Sequence, residues 1–194
     1  MALTILILAA GQSSRMGQDK SQLQRPDGLT QLAFTLDLAR SLSPSQVFIS
    51  SRDTKTQTAT TTIKDELEDK GPLGGIHACL RHVDDFDRLL IIPCDMPELD
   101  VSDLNALLHS GASAAHYSQY PLPCLLTVTP DLRRHINHQI LAQGSGLSIR
   151  HLLHAAQAQE QVPAEPGHLI STNTPDEWQA FVTRFTPSED TPHG

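Results

Sequence analysis

The sequence predicts an α/β fold of three layers, with a mostly parallel sheet held between helices. Three observations carry this. The runs ILILAA at 5–10 and RLLIIP at 88–93 are apolar without alternation, as strands buried on both faces are. Segments with leucines near helical spacing separate the strand-like runs, giving a βα alternation. Polar loops holding glycines and charges follow the strands, where parallel sheets place their ligand sites.

The elements follow in order. ILILAA is the first strand. Residues 29–42 read as a helix through Leu32, Leu36, Leu38 and Leu42, and QVFIS at 46–50 is the second strand. The Thr-rich stretch 54–62 lacks a period and reads as a loop or an edge strand. A helix over 73–82 is entered from Gly71-Pro72, and RLLIIP is a further buried strand. Ser102 is placed to cap a helix running to about 109, with Asp103 in its first turn. CLLTV at 124–128 reads as a strand, and 130–142 as a helix opened by Pro130. Residues 147–156 form a second amphipathic helix, HLIST at 168–172 a short strand, and Pro175 starts a last helix to Phe185. Residues 1–185 are expected to be one domain, and the polar, Pro-containing 186–194 a disordered tail.

Composition narrows the function. A length of 194 residues suits one well-buried domain, and 4% aromatics make its core mainly aliphatic. The net charge of −8 argues against a general nucleic-acid binder but leaves room for a local cationic pocket. No segment is long enough to span a membrane. The apolar start lacks a basic n-region and runs directly into a polar loop, so it reads as a strand and not as a signal peptide. Three cysteines, Cys79, Cys94 and Cys124, without paired metal spacing suit reduced thiols in a cytoplasm.

Four stretches carry candidate chemistry. LAAGQSSRMGQDK, residues 8–20, ends a buried strand in a loop that bears Arg15 and closes on Lys20. Small residues let backbone N–H groups approach phosphate oxygens, and the two cations neutralise them, so the loop points to a triphosphate. It matches neither the Walker pattern nor the dinucleotide fingerprint. KGPLGGI, residues 70–76, has more glycines than a turn needs; its backbone at Gly71 and Pro72 can lie against a base, with Leu73 packed beside it. IIPCDMP, residues 91–97, presents Asp95 just past a buried strand, between two prolines that restrict the backbone. One such carboxylate suffices for Mg²⁺, which is usually completed by substrate phosphates. Cys94 beside it reads as a packing residue, since no His is near in sequence. NTPDE, residues 173–177, reads by itself as a helix start capped by Thr174. The pairs His135/His138 and His151/His154 have no zinc pattern and read as surface or interface residues. Ser13 and Ser14 lie in no nucleophile elbow, which disfavours hydrolase chemistry.

In this order, the opening loop, GPLGGI, PCDMP and NTPDE resemble the nucleotidyltransferases of Rossmann-like fold, and within them the molybdenum cofactor guanylyltransferases. The resemblance runs from about residue 3 to residue 181. It implies transfer of GMP from GTP to molybdopterin, with Mg²⁺ as cofactor and molybdoenzymes or cofactor-insertion proteins as possible partners. It places Leu8, Ala9, Ala10 and Gly11 against the nucleotide, Lys20 on phosphate, Asp65 on the guanosine and Asp95 on both Mg²⁺ and GTP. A polar residue closing the second strand would be Ser50, or Ser51 with the register moved by one. Arg15, Lys20 and Asp95 form the expected catalytic set. The opening LAAG, where the family usually has LAGG, is also found in cytidylyl and sugar-phosphate relatives, so transfer of those nucleotides is the nearest alternative. A non-catalytic nucleotide-binding regulator or cofactor chaperone is the second. For the acceptor, 121–126, 144–153 and Arg150 are candidates.

Overall fold

In the computed structural model, residues 1–9, 20–51, 60–64, 71–141 and 148–185 are described. Their strands are β1 (Leu3–Leu8), β2 (Gln46–Ser51), β3 (Thr61–Lys64), β4 (Arg88–Pro93), β5 (Ala114–Tyr117), β6 (Tyr120–Thr127) and β7 (Gln159–Gln161). They join in one sheet in the order β3-β2-β1-β4-β6-β5-β7. Only β6 runs against its neighbours, β4 and β5. The remaining pairings are parallel.

Helices α1 (Gln31–Ser41), α2 (Pro72–Leu80), α3 (Val101–Leu108), α4 (Pro130–Leu141), α5 (Ile149–Ala155) and α6 (Pro175–Phe185) complete the layers. Leu6, Leu89 and Ile91 pack on one face with Leu73 and Ile76 of α2 and Ile136 of α4. Ile5, Ile7, Leu90 and Ile92 pack on the other with Leu36 of α1 and Leu104 of α3. Successive strand residues thus enter opposite cores, which is why β1 and β4 read as unbroken apolar runs. Among the described residues, no helix is long and apolar enough to cross a membrane.

The sheet's register builds the floor of a site. Leu8 pairs with Ser50 of β2 and with Pro93 of β4, so three strands end at one level. The ladder runs one step further, with the Ala9 N–H donating to the Ser50 carbonyl at 3.0 Å and the Cys94 N–H to the Leu8 carbonyl at 3.1 Å. Asp95 follows immediately.

Two side contacts position what stands on that floor. Trp178 and Phe181 of α6 pack with Leu23, just past the short 3₁₀ turn Lys20–Gln22. Arg25 is buried with its guanidinium 3.6 Å from the Phe34 ring centroid, donating to Gln31 Oε1 at 2.9 Å and to the Pro97 carbonyl at 2.8 Å. A buried cation held by carbonyl oxygens and a ring face is well compensated. It ties the segment carrying Lys20 to the loop carrying Asp95.

Several elements differ from the sequence expectation. The first strand ends at Leu8 rather than at position 10, and Ala10 lies outside the described residues. The cap of α3 is Asp100, not Ser102. Its carboxylate accepts the Ser102 N–H at 2.8 Å, and its own N–H donates to Asp103 at 3.1 Å in a capping box. The expected strand at 168–172 is instead a 3₁₀ turn, Pro166–Leu169, followed by a strap without regular structure. Pro166 opens the turn, Leu169 and Thr172 are buried while Ile170 is exposed, and the segment joins no edge of the sheet among the described residues. Strands β5 and β7 went unread because AAHY is short and QEQ is a polar edge. Positions 186–194 lie outside the described residues.

Candidate active site

A cavity of about 700 Å³ opens over the carboxyl ends of β1, β2 and β4. Leu8, Ala9, Ser50, Pro93, Cys94 and Asp95 form its floor, and Gly71 and Pro72 at the start of α2 form one side. Gly71 caps this helix at φ 55° and ψ −146°, a backbone state that side chains disfavour. Pro72 then takes the first helical position, where its missing N–H costs nothing.

Lys20 and Asp95 face each other across the cavity, with Nζ 3.9 Å from Oδ2. The Lys20 ammonium also donates to Asn173 Oδ1 at 2.9 Å. Although Asp95 keeps 29% of its side-chain surface exposed, burial pushes its carboxyl above the usual carboxylate range. The Lys20 charge and a hydrogen bond from the Ser171 side chain pull the other way, more weakly. A carboxylate short of solvation, with Lys20 its one cationic neighbour among the described residues, favours more positive charge at that point.

The strap supplies these partners. Thr172 N–H donates to the Asp95 carbonyl at 2.8 Å, and its hydroxyl to the same oxygen at 3.3 Å. Asn173 and Thr174 donate their N–H groups to the Glu177 carboxylate at 2.5 and 3.0 Å, which lowers the Glu177 pKa. The NTPDE motif is therefore a helix start, and the residue before its cap reaches Lys20. Sequence reasoning stopped at the cap and missed Ser171, Thr172 and Asn173. The only signal for Asn173 was its place in the motif shared with the resembled family.

Ser50 is 1% exposed, and its hydroxyl has no hydrogen-bond partner among the described residues. It lies against Gly75 of α2, so closely that an added Cβ would stand 2.3 Å from Ser50 Oγ and 2.8 Å from Ser50 Cβ. The absent side chain at Gly75 lets α2 approach the end of β2. Gly75→Ala is expected to destabilise by about 1–3 kcal/mol through overpacking, read as a lower urea midpoint. Ser50→Gly in the same background should recover most of the loss.

The other expected residues distribute as follows. Leu73 does not line the cavity; it is fully buried against the sheet, because the second position of α2 faces the core rather than the site. Ala10, Gly11, Ser13, Ser14, Arg15 and Asp65 lie outside the described residues. Cys94 is buried and accepts a hydrogen bond from the Thr35 hydroxyl at 3.9 Å. Burial pushes the Cys79 and Cys124 thiols up to about 12, which leaves them inert. Pro121 and Leu122 line the cavity beside Tyr120 and Ile170, giving it an apolar flank. Arg150 stands elsewhere, on a smaller cavity with His116 and His154, and donates to the Gln119 carbonyl at 3.0 Å. Among the described residues, no group of three or more His, Cys, Asp and Glu is arranged to hold a metal.

The chain is similar to known proteins. The family model of the MobA-like NTP transferase domain matches residues 5–162. The chain belongs to that family. Among relatives of this MobA-like transferase, a molybdenum cofactor guanylyltransferase of Pseudomonas paraeruginosa is 34% identical over 185 residues, covering 89% of this chain and 91% of the relative. Another, of Xanthomonas euvesicatoria, is 29% identical over 182 residues, covering 92% and 94%. The crystal structure of molybdopterin-guanine dinucleotide biosynthesis protein A from Archaeoglobus fulgidus superposes with a TM-score of 0.73 at 22% identity, covering 93% of this chain and 97% of that one. At that identity it speaks to the fold of the MobA-like transferase.

Proposed function

We propose that the protein transfers GMP from GTP to molybdopterin, forming the guanine dinucleotide of the cofactor and releasing pyrophosphate. The observation that carries this is the pairing of Lys20 with Asp95 over the ends of β1 and β4, in a cavity with one polar pole and one apolar flank. The relatives' shared description as molybdenum cofactor guanylyltransferases supports the nucleotide and the acceptor.

The chemistry is a displacement at phosphorus. An anionic oxygen of the acceptor's phosphate monoester forms a bond to the α-phosphorus of GTP, and the bond from that phosphorus to the bridging oxygen of pyrophosphate breaks. The attacking oxygen is already deprotonated near neutral pH, so no strong general base is needed. The barrier is largely repulsion between anions. Lys20 offsets it directly, with Arg15 assigned to the same task. Asn173 holds the Lys20 ammonium toward the cavity. Gly71 and Pro72 bring main chain to the nucleoside, and Ser50 offers it an unpaired buried hydroxyl.

Asp95 fits a hard divalent cation: it is one carboxylate, short of solvation, facing a cavity wide enough for phosphate oxygens. We assign it Mg²⁺, which when bound would neutralise charge on the phosphates. The enzyme is assigned to the cytoplasm, where its buried thiols stay reduced, with molybdoenzymes or cofactor-insertion proteins as recipients of its product.

Incubation with molybdopterin and GTP, CTP or UTP tests the reading by pyrophosphate release. Release with GTP above the other two is expected. Preference for CTP or UTP would reassign the nucleotide, and binding without release with any acceptor would make the protein a regulator or chaperone.

A further inference from the structure

The strap that follows the 3₁₀ turn Pro166–Leu169 has no regular structure, yet three consecutive residues of it address the catalytic pair. Ser171 bonds the Asp95 carboxylate, Thr172 bonds the Asp95 carbonyl twice, and Asn173 bonds Lys20. Ile170, next to them, is 52% exposed, whereas Thr172 is 6% exposed, so packing holds the strap at its middle through Thr172 alone. Its two ends supply the remaining anchors. Downstream, the Glu177 carboxylate holds the N–H groups of Asn173 and Thr174.

Upstream, the polar anchor is His168, whose Nδ1 lies 2.9 Å from Asp103 Oδ2. Asp103 is 4% exposed and is itself immobilised. Its carboxylate accepts the Asp100 N–H in the cap of α3, and its carbonyl accepts the Tyr117 hydroxyl of β5 at 2.6 Å. The anchor therefore rests on two elements of the core layer, α3 and β5. Neither residue lines the cavity. Nothing in the reaction calls for a buried Asp paired with a part-exposed His there.

We propose that His168, held by Asp103, is a positioning residue that keeps the strap of 170–174 in register with Lys20 and Asp95. The proposal rests on the transferase reading given above. The imidazole Nδ1 is two bonds from Cβ, as is the amide nitrogen of asparagine, so His168→Asn keeps a donor in place. His168→Gln moves it one bond too far, and His168→Ala removes it.

The test uses the full chain with GTP, molybdopterin and Mg²⁺, together with amide hydrogen exchange on the protein alone. In His168→Ala, kcat should fall about tenfold or more, since a misplacement of about 1 Å can cost about a hundredfold. KM for GTP should change by less than about twofold, because ground-state binding is retained. The Thr172 amide should exchange at least about tenfold faster, with β4 amides unchanged, which is local and not global opening. His168→Asn should restore both. Unchanged kcat and Thr172 protection in His168→Ala would overturn the proposal, as would a loss that His168→Asn does not repair. If His168→Ala fails to fold, equal turnover in His168→Gln and His168→Asn would overturn it instead. The exchange measurement needs no substrate, so it judges the anchor separately from pyrophosphate release by the wild type, whose failure would sink the transferase reading.

Discussion

Asp95→Ala should abolish pyrophosphate release while leaving the fold intact. Two features of the structure separate those outcomes. The strap is held by the Asp95 carbonyl, a backbone group that the substitution preserves, through the Thr172 N–H at 2.8 Å. The carboxylate itself is held against its preference, since burial pushes its pKa up. Removing it relieves a desolvation cost rather than breaking a strong ion pair, for the nearest cation among the described residues, Lys20, stands 3.9 Å away. The melting temperature should therefore stay level or rise. Turnover should vanish because no other carboxylate among the described cavity-lining residues can take over. Thermal unfolding and pyrophosphate assays over a range of Mg²⁺ concentrations check both halves. Normal Mg²⁺-dependent turnover in Asp95→Ala would refute the metal assignment.

The parts of this molecule that could be read in advance share one property: their residues carry their own physical reason. β1 and β4 are buried on both faces, so their apolar runs admit little else. Pro72, Pro130 and Pro175 each open a helix at a position where proline is favoured. Lys20, Asp95, Gly71 and Pro72, expected from the sequence to lie near one another, line one cavity, because loops after strands of a parallel sheet converge. What escaped depends on neighbours distant in sequence. β5 and β7 are strands only because β6 and β5 offer them edges. Asn173 meets Lys20 across 153 positions, and His168 meets Asp103 across 65. No local pattern encodes such contacts. Leu73 shows the reverse case: its motif suggested a place beside the ligand, and the helix phase turns its side chain to the core.

Lys20→Ala should lower turnover by about a hundredfold or more, the scale seen when one preorganised charge-stabilising group is removed. Lys20 keeps only 16% of its side-chain surface exposed. Its charge is thus screened less than that of a surface lysine, and it would act on bound phosphates through little intervening water. The 3.9 Å between Lys20 and Asp95 is too long for a tight hydrogen-bonded pair, so neither charge is spent on the other. Lys20 is instead aimed by the neutral Asn173 amide at 2.9 Å, which fixes direction without cancelling charge. Asn173→Ala should accordingly cost less than Lys20→Ala, since the ammonium remains but loses its guide. If the lysine acts mainly on charge that develops during transfer, the loss falls on kcat; if it only binds GTP, it falls on KM. Steady-state kinetics on both variants distinguish these, and kinetics of Lys20→Ala equal to wild type would remove Lys20 from the site. The expected loss falls on kcat, because a cation fixed beside the carboxylate proposed to hold the metal would stand by the reacting phosphorus rather than by the base.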